Sequence, residues 1–191
     1  MRRVLDDFSR FGRLPAPRPR PTDLNALVRQ ILPLYAENSA SAVVEAELDP
    51  RIPLLPLDPD LIGQVINNLI GNALQALGSA GGSVAVITRA DPGGAALLVR
   101  DTGPGLTEEA RRRLFEPYFS TREGGTGLGL AICRRIVLDH GGNIVGLFGH
   151  DDAGGAWLGD LHQIGDRAHR SFGQETGRTH PLVVENLGHV A

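Results

Sequence analysis

The sequence predicts an α+β fold, a two-layer sandwich in which helices cover one face of a mixed sheet. Three observations carry this. Residues 61–77 repeat apolar side chains at spacings of three and four, the mark of a long amphipathic helix. Residues 43–48, 83–89 and 95–100 are short aliphatic or β-branched runs of strand length. A second helical pattern over 128–139 follows a glycine-rich stretch.

In chain order, Val4, Leu5, Phe8, Phe11 and Leu14 form a helical stripe over residues 1–14 that needs a partner surface. Pro15, Pro17, Pro19 and Pro21 then alternate, which excludes helix and favours an extended linker over 15–22, separate from the units on either side. Thr22 or Asp23 can cap a helix bearing Leu24, Leu27, Val28, Ile31 and Leu32, which Pro33 bends or ends. Val44, Ala46 and Leu48 alternate with Glu45 and Glu47, a strand with one wet face. A Pro-rich stretch over 50–59 is expected to give way at Asp60 to the long helix, which Gly78 ends.

The runs 83–89 and 95–100 flank Asp91-Pro92-Gly93-Gly94 and read as a hairpin. Thr107 can cap a short helix reaching Leu114, with Glu108 and Glu109 favourable in its first turn. The helix over 128–139 stops at His140-Gly141-Gly142, and 143–148 read as a strand. Beyond Gly149 no period is sustained, and His150, His162, His169, His180 and His189 stand at no metal-binding spacing.

The 191 residues suit one domain with a short appendage. With 41% hydrophobic and 21% charged residues, a core can form and wholesale disorder is excluded. Net charge is -3, and the 19 basic residues, all Arg, are scattered apart from Arg111 to Arg113, so nucleic acid is not an expected partner. Cys133 is the single cysteine, which excludes a disulfide framework and fits a reducing, cytoplasmic setting. No apolar run approaches the roughly 20 residues of a membrane-spanning helix, so no membrane contact is expected of this segment.

Three segments could carry chemistry together. Asn68 and Asn72 are four apart on one face of the long helix, and carboxamide oxygens suit a hard cation already bound to phosphates. Asp101-Thr102-Gly103-Pro104-Gly105 follows a strand, where a carboxylate can accept from an exocyclic amine and glycines let a ligand approach the backbone. Gly124-Gly125-Thr126-Gly127-Leu128-Gly129 runs into a helix whose N-terminal N–H groups can face phosphate oxygens. It is neither a Walker loop, lacking Gly-Lys-Ser/Thr, nor a dinucleotide fingerprint, lacking an immediately preceding strand.

In this order the segments resemble the N, G1 and G2 boxes of the histidine-kinase ATP-binding domain, with Leu114-Phe115-Glu116-Pro117-Tyr118-Phe119-Ser120-Thr121-Arg122 as the F box. The resemblance covers about Asp23 to Val145 and implies the Bergerat fold of the superfamily shared with gyrase, the heat-shock chaperone and mismatch-repair proteins. Residues 1–21 resemble the end of the dimerisation helices and the linker of nitrogen-regulation kinases. The implied organisation is a partial dimerisation helix at 1–14, a linker at 15–22, the ATP-binding domain at 23–160, and an atypical tail at 161–191, disordered or out of frame. Gly154-Gly155-Ala156-Trp157-Leu158 would be a remnant of the family's final strand.

Carried over residue by residue, the resemblance implies ATP and Mg²⁺ as cofactors, with Asn72 as metal ligand and Asn68 beside the phosphates. Asp101 would hold the adenine amine, with Gly103 and Gly105 shaping its pocket. Gly125, Thr126, Gly127, Leu128 and Gly129 would fold over the triphosphate as a lid anchored by Phe115 and Phe119, and Arg122 would supply a cation where relatives often carry Lys. Hydrolysing relatives place a Glu four residues before the metal-binding Asn. Asn68 stands there and cannot take a proton, which favours transfer from Mg-ATP to a separate acceptor over hydrolysis.

The implied partners are a phospho-acceptor His on a dimerisation domain and the receiver domain of a response regulator, in relatives that are homodimers and can carry a membrane anchor elsewhere. No His precedes His140, which itself reads as a structural cation at a helix C-terminus, so the chain is not expected to phosphorylate itself. A superfamily ATPase, a Ser/Thr kinase controlling a sigma factor, and a non-catalytic nucleotide-binding module remain as alternatives.

Overall fold

The computed structural model describes residues 14–36, 42–91, 94–122, 125–149 and 182–189. Strand β1 (Arg20–Thr22) leads into helix α1 (Leu24–Ile31), a short helix α2 (Pro33–Ala36) and strand β2 (Ala42–Leu48). Strand β3 (Leu55–Leu57) precedes the long helix α3 (Pro59–Leu77), closed by a 3-10 turn (Gly78–Ala80). Strands β4 (Gly82–Asp91) and β5 (Gly94–Asp101), helices α4 (Glu108–Arg112) and α5 (Gly129–Asp139), and strands β6 (Asn143–Gly149) and β7 (Leu182–His189) complete the order.

The main sheet runs β2-β4-β5-β7-β6. Its β4–β5 pair is the antiparallel hairpin expected from sequence, whereas β2 lies parallel to β4 and β7 lies parallel to both β5 and β6. Val84, Val86, Leu97 and Val99 from one face join Leu24 and Val28 of α1, Ile62, Ile66, Leu69 and Ile70 of α3, and Ile132, Ile136 and Val137 of α5 in one core. Each such large side chain contributes about 1.5–3 kcal/mol by leaving water. On β4 and β5 the alternating residues Ala85, Ile87 and Leu98 are buried as well, in a second cluster apart from the first.

Capping explains the helix starts. Asp23 accepts from the Ala26 N–H at 2.9 Å and begins α1, which breaks at Leu32 because Pro33 restarts the chain as α2. The long helix begins earlier than expected: Asp58 is its cap, accepting from Asp60 and Leu61, with Pro59 at the first helical turn where no N–H is needed. Thr107 caps α4 as expected, but that helix ends at Arg112, short of Leu114.

Two strands fall where the sequence shows no strand period. The Pro-rich stretch 50–59 contains β3, and the last residues of the linker form β1 against it, antiparallel, with Pro21 opposite Pro56. The linker is therefore stitched to the domain: the Arg18 N–H donates to Asp58 Oδ2 at 2.8 Å, Thr22 Oγ1 donates to the Leu57 carbonyl at 3.1 Å, and Leu14 packs against the main core. In the expected atypical tail, residues 182–189 are the strand β7 between β5 and β6. Its Leu182-Val183-Val184 start is a run of strand formers, which Glu185 and Asn186 obscure in a search for alternation. The stripe residues 1–13, the remnant 154–158 and the rest of the tail lie outside the described residues.

Candidate functional site

Along α3 the apolar face is built into the core, and the polar residues split into two groups. Asn67 turns toward the N-terminal side, donating to the Gly63 carbonyl at 2.8 Å and accepting from the Tyr35 hydroxyl at 2.9 Å. Asn68 and Asn72, one turn apart, are half-buried on another face. Cys133 of α5 faces α3 here, its thiol donating to the Val65 carbonyl at 3.9 Å. Burial pushes that thiol up to about 12, with the neighbouring Asn68 side chain opposing, so Cys133 is a protonated packing residue.

The end of β5 reaches the same helix. Asp101, its last residue, is only 6% exposed, and its Oδ1 accepts the Gly103 N–H at 2.9 Å, which fixes the carboxylate at the strand end. A side chain at Gly103 would lie 3.2 Å from the Ala76 Cβ and 2.7 Å from Asp101 Oδ1, so the loop passes close against α3 and a larger residue would have to displace the Asp101 carboxylate. The start of the loop is fixed to β4: the Thr102 N–H donates to the Ser83 carbonyl, and Thr102 Oγ1 accepts the Ser83 N–H. Gly105 turns the backbone further with φ +74°.

The segment from Leu114 to Leu128 is held at both ends. Phe115 packs on the main core, and Leu128 is wholly buried in it. Phe119 lies under the Arg113 guanidinium, 4.2 Å from its ring centre. The two arms meet where the Tyr118 N–H donates to the Gly127 carbonyl at 2.9 Å, with positive φ at both residues. Between them the Arg122 N–H donates to Ser120 Oγ and the Arg122 carbonyl accepts the Gly125 N–H. The Arg122 side chain crosses to α3, donating to Gln75 Oε1 and, at 3.3 Å, to the Asn72 carbonyl.

Two of the sequence-predicted segments thus converge on the C-terminal half of α3, Arg122 at Asn72 and Gly103 at Ala76, while Cys133 of α5 meets the helix at Val65. No hydrogen bond joins Gly105 or Thr126 to α3 among the described residues. Sequence reasoning misses Gln75, whose signal is its place at i+3 from Asn72 and i+7 from Asn68, a polar stripe on an otherwise apolar helix. His140 stands at the C-terminal cap of α5, where its Nε2 accepts the Asp58 N–H at 3.0 Å and its Nδ1 lies 2.7 Å from the Ile136 carbonyl.

Residues 57–157 match the family of histidine kinase-, DNA gyrase B-, and HSP90-like ATPases. The chain belongs to this family. Over 162 residues, 82% of this chain, it is 36% identical to the nitrogen regulation protein NtrY of Azorhizobium caulinodans, of which it covers 21%. Over 108 residues, 51% of this chain, it is 44% identical to the sensory histidine kinase/phosphatase NtrB of Klebsiella oxytoca, of which it covers 31%. The chain thus spans a fifth to a third of the length of these curated relatives. The full-length ShkA structure in complex with AMPPNP aligns with TM-score 0.64 at 30% identity, over 73% of this chain and 31% of ShkA. The ThkA catalytic domain aligns with TM-score 0.58 at 31% identity, over 64% of this chain and 81% of that one.

The α+β sandwich is therefore the Bergerat fold of histidine-kinase catalytic domains, similar to those of nitrogen-regulation kinases. Gly71, beside Asn72, and Gly129, the first residue of α5, both face open space, since a Cβ built on either meets nothing within 4 Å. The open position on α3 adjoins Asn72. The donors there are carboxamide oxygens, and among the described residues no group of three His, Cys, Asp or Glu side chains could hold a metal. Such a donor set suits Mg²⁺ carried mainly by phosphates and water.

Proposed function

We propose that the chain is the ATP-binding catalytic part of a two-component sensor histidine kinase. It binds Mg-ATP and presents the γ-phosphate to a His on a separate dimerisation domain, from which the phosphoryl group passes to a response regulator. The observation that carries this reading is the meeting of Asn72, the Asp101 loop and Arg122 on one stretch of α3.

Asp101, fixed by its bond to Gly103, accepts from the adenine amine at the strand end. Asn72 takes one Mg²⁺ position and leaves the rest to phosphate oxygens and water, while Asn68 stands beside the phosphates. Bound Mg²⁺ supplies neutralisation of phosphate charge. Arg122, already docked beside Asn72, adds a planar cation for phosphate oxygens, and the N–H groups at the start of α5 face the same anion. Phosphoryl transfer depends almost wholly on such positioning and electrostatics. Asn68 offers no base to activate water, so the triphosphate is kept for an external nucleophile. A comparison structure of ThkA in complex with the response regulator protein TrrA, aligned with TM-score 0.62 at 26% identity over 75% of this chain and 42% of that one, supports the downstream partner.

The test is calorimetric titration with ATP and GTP in Mg²⁺, followed by incubation with γ-labelled ATP and a dimerisation domain carrying the acceptor His. Selective ATP binding with label on the added domain is expected. Equal affinity for ATP and GTP overturns the adenine assignment, and release of free phosphate without labelling favours an ATPase.

A further inference from the structure

We propose that Gln75 is a positioning residue that holds the Arg122 guanidinium against α3 beside Asn72, so that the cation is in place before nucleotide arrives. The proposal deepens the reading above and, for its nucleotide arm, rests on it. Two contacts carry it, both linking residues far apart in sequence: Arg122 Nη1 donates to Gln75 Oε1, and Nη2 donates to the Asn72 carbonyl at 3.3 Å. Asn72 and Gln75 are three residues apart and therefore neighbours on the helix surface, so one planar fork spans both acceptors.

The chemistry assigns different roles to the two ends of this contact. A free arginine side chain on an exposed loop samples many rotamers, and fixing it at the moment of binding costs side-chain entropy. Gln75 supplies a neutral acceptor at the length of its own side chain, which orders the fork without neutralising its charge. A guanidinium carries five N–H donors, so donation to Gln75 and Asn72 leaves others for phosphate oxygens. A carboxylate in place of the carboxamide would hold the arginine equally near but set a negative charge beside the phosphates. Gln75 is exposed, and alanine is the better helix former, so Gln75→Ala leaves the fold intact.

Hydrogen exchange across 118–122 in the nucleotide-free chain reads the contact directly. Gln75→Ala is expected to speed exchange there, and Gln75→Glu, which keeps an acceptor of the same reach, to preserve protection in a salt-sensitive form. Titration with Mg-ATP is expected to show binding about 3- to 10-fold weaker for Gln75→Ala, the size of one hydrogen bond. Gln75→Glu should also bind more weakly, through its charge. In an Arg122→Ala background, Gln75→Ala should change neither readout. Exchange at the parent rate in Gln75→Ala, or an equal effect with and without Arg122, overturns the proposal. If the parent chain binds no nucleotide, the functional reading falls, and the exchange comparison alone decides the role of Gln75.

Discussion

His140 and Asp58 join the end of α5 to the start of α3: the Asp58 N–H donates to His140 Nε2 at 3.0 Å across 82 residues of sequence. The same Asp58 caps α3 with Oδ1 and accepts the linker's Arg18 N–H with Oδ2. Burial alone would raise this carboxyl. The N–H groups of Arg18, Leu61 and Asp60 outweigh it and hold the group below its usual range.

Replacing His140 by Ala removes an acceptor and a donor from a position that is 8% exposed, leaving the Asp58 N–H and the Ile136 carbonyl without it. The expected loss is about 2–4 kcal/mol of stability, read as a lower urea midpoint at unchanged slope. A midpoint equal to the parent's would show that the pairing is incidental.

Since both His140 nitrogens are engaged in a buried site, this residue is not a phosphate acceptor. The chain incubated with γ-labelled ATP is expected to stay unlabelled, because transfer requires a nucleophile placed in line with the γ-phosphate. Acid-labile, base-stable phosphate that persists in a His140→Ala chain would point to the histidines beyond Gly149.

Asp101→Asn can keep an oxygen for the Gly103 N–H, but it removes the charge and turns the other acceptor oxygen into an NH2 donor. Its ATP affinity is expected to fall by about 1.5–3 kcal/mol, with GTP affected less. An equal loss for both nucleotides in calorimetry would separate Asp101 from the adenine ring.

Gly127 combines φ +64° with a position where a Cβ would lie 2.5 Å from the Tyr118 carbonyl carbon and 2.7 Å from the Phe119 nitrogen. Gly127→Ala is expected to open the junction of the two arms and weaken Mg-ATP at least about tenfold, while core unfolding changes little. Parent-like affinity would show that the loop adapts without it.

Acid should loosen the β2–β4 corner. Asp49 accepts from Arg51 Nε and Nη2, and from the Ala90 and Arg51 N–H groups, and the Arg51 guanidinium is the chief cause holding its carboxyl well below the usual range. A lowered native pKa means that this stabilisation is complete above about pH 4 and is lost as the pH falls further, through the native value. Asp58 contributes in the same direction. The urea midpoint is expected to drop below about pH 4, and less steeply in Asp49→Asn.

How much of this is legible in the sequence depends on element length. The α3 helix, the β4–β5 hairpin and the Asp101 and glycine-rich segments each present enough period or punctuation to be placed within a few residues. The ribbon of Arg20–Thr22 and Leu55–Leu57 is three residues per strand, too short for a period, and Pro21 opposite Pro56 argues locally against any strand. It forms because Thr22, Leu57 and Asp58 supply side-chain and burial terms that only the folded core brings together. Gln75 is hidden for a different reason. A glutamine on a helix surface reads as solvated until a loop 47 residues away is seen to land on it.

The ribbon also gives α3 two ends with separate duties. Arg18 and Thr22 fasten the linker at Asp58 and Leu57, whereas Arg122 and Gly103 reach the helix at Asn72 to Ala76, about 20 Å along its axis. The helix is a tie-rod: a tug on the linker enters at one end and is delivered, along a single rigid axis, to the stretch where Arg122 and Gly103 meet it at the other.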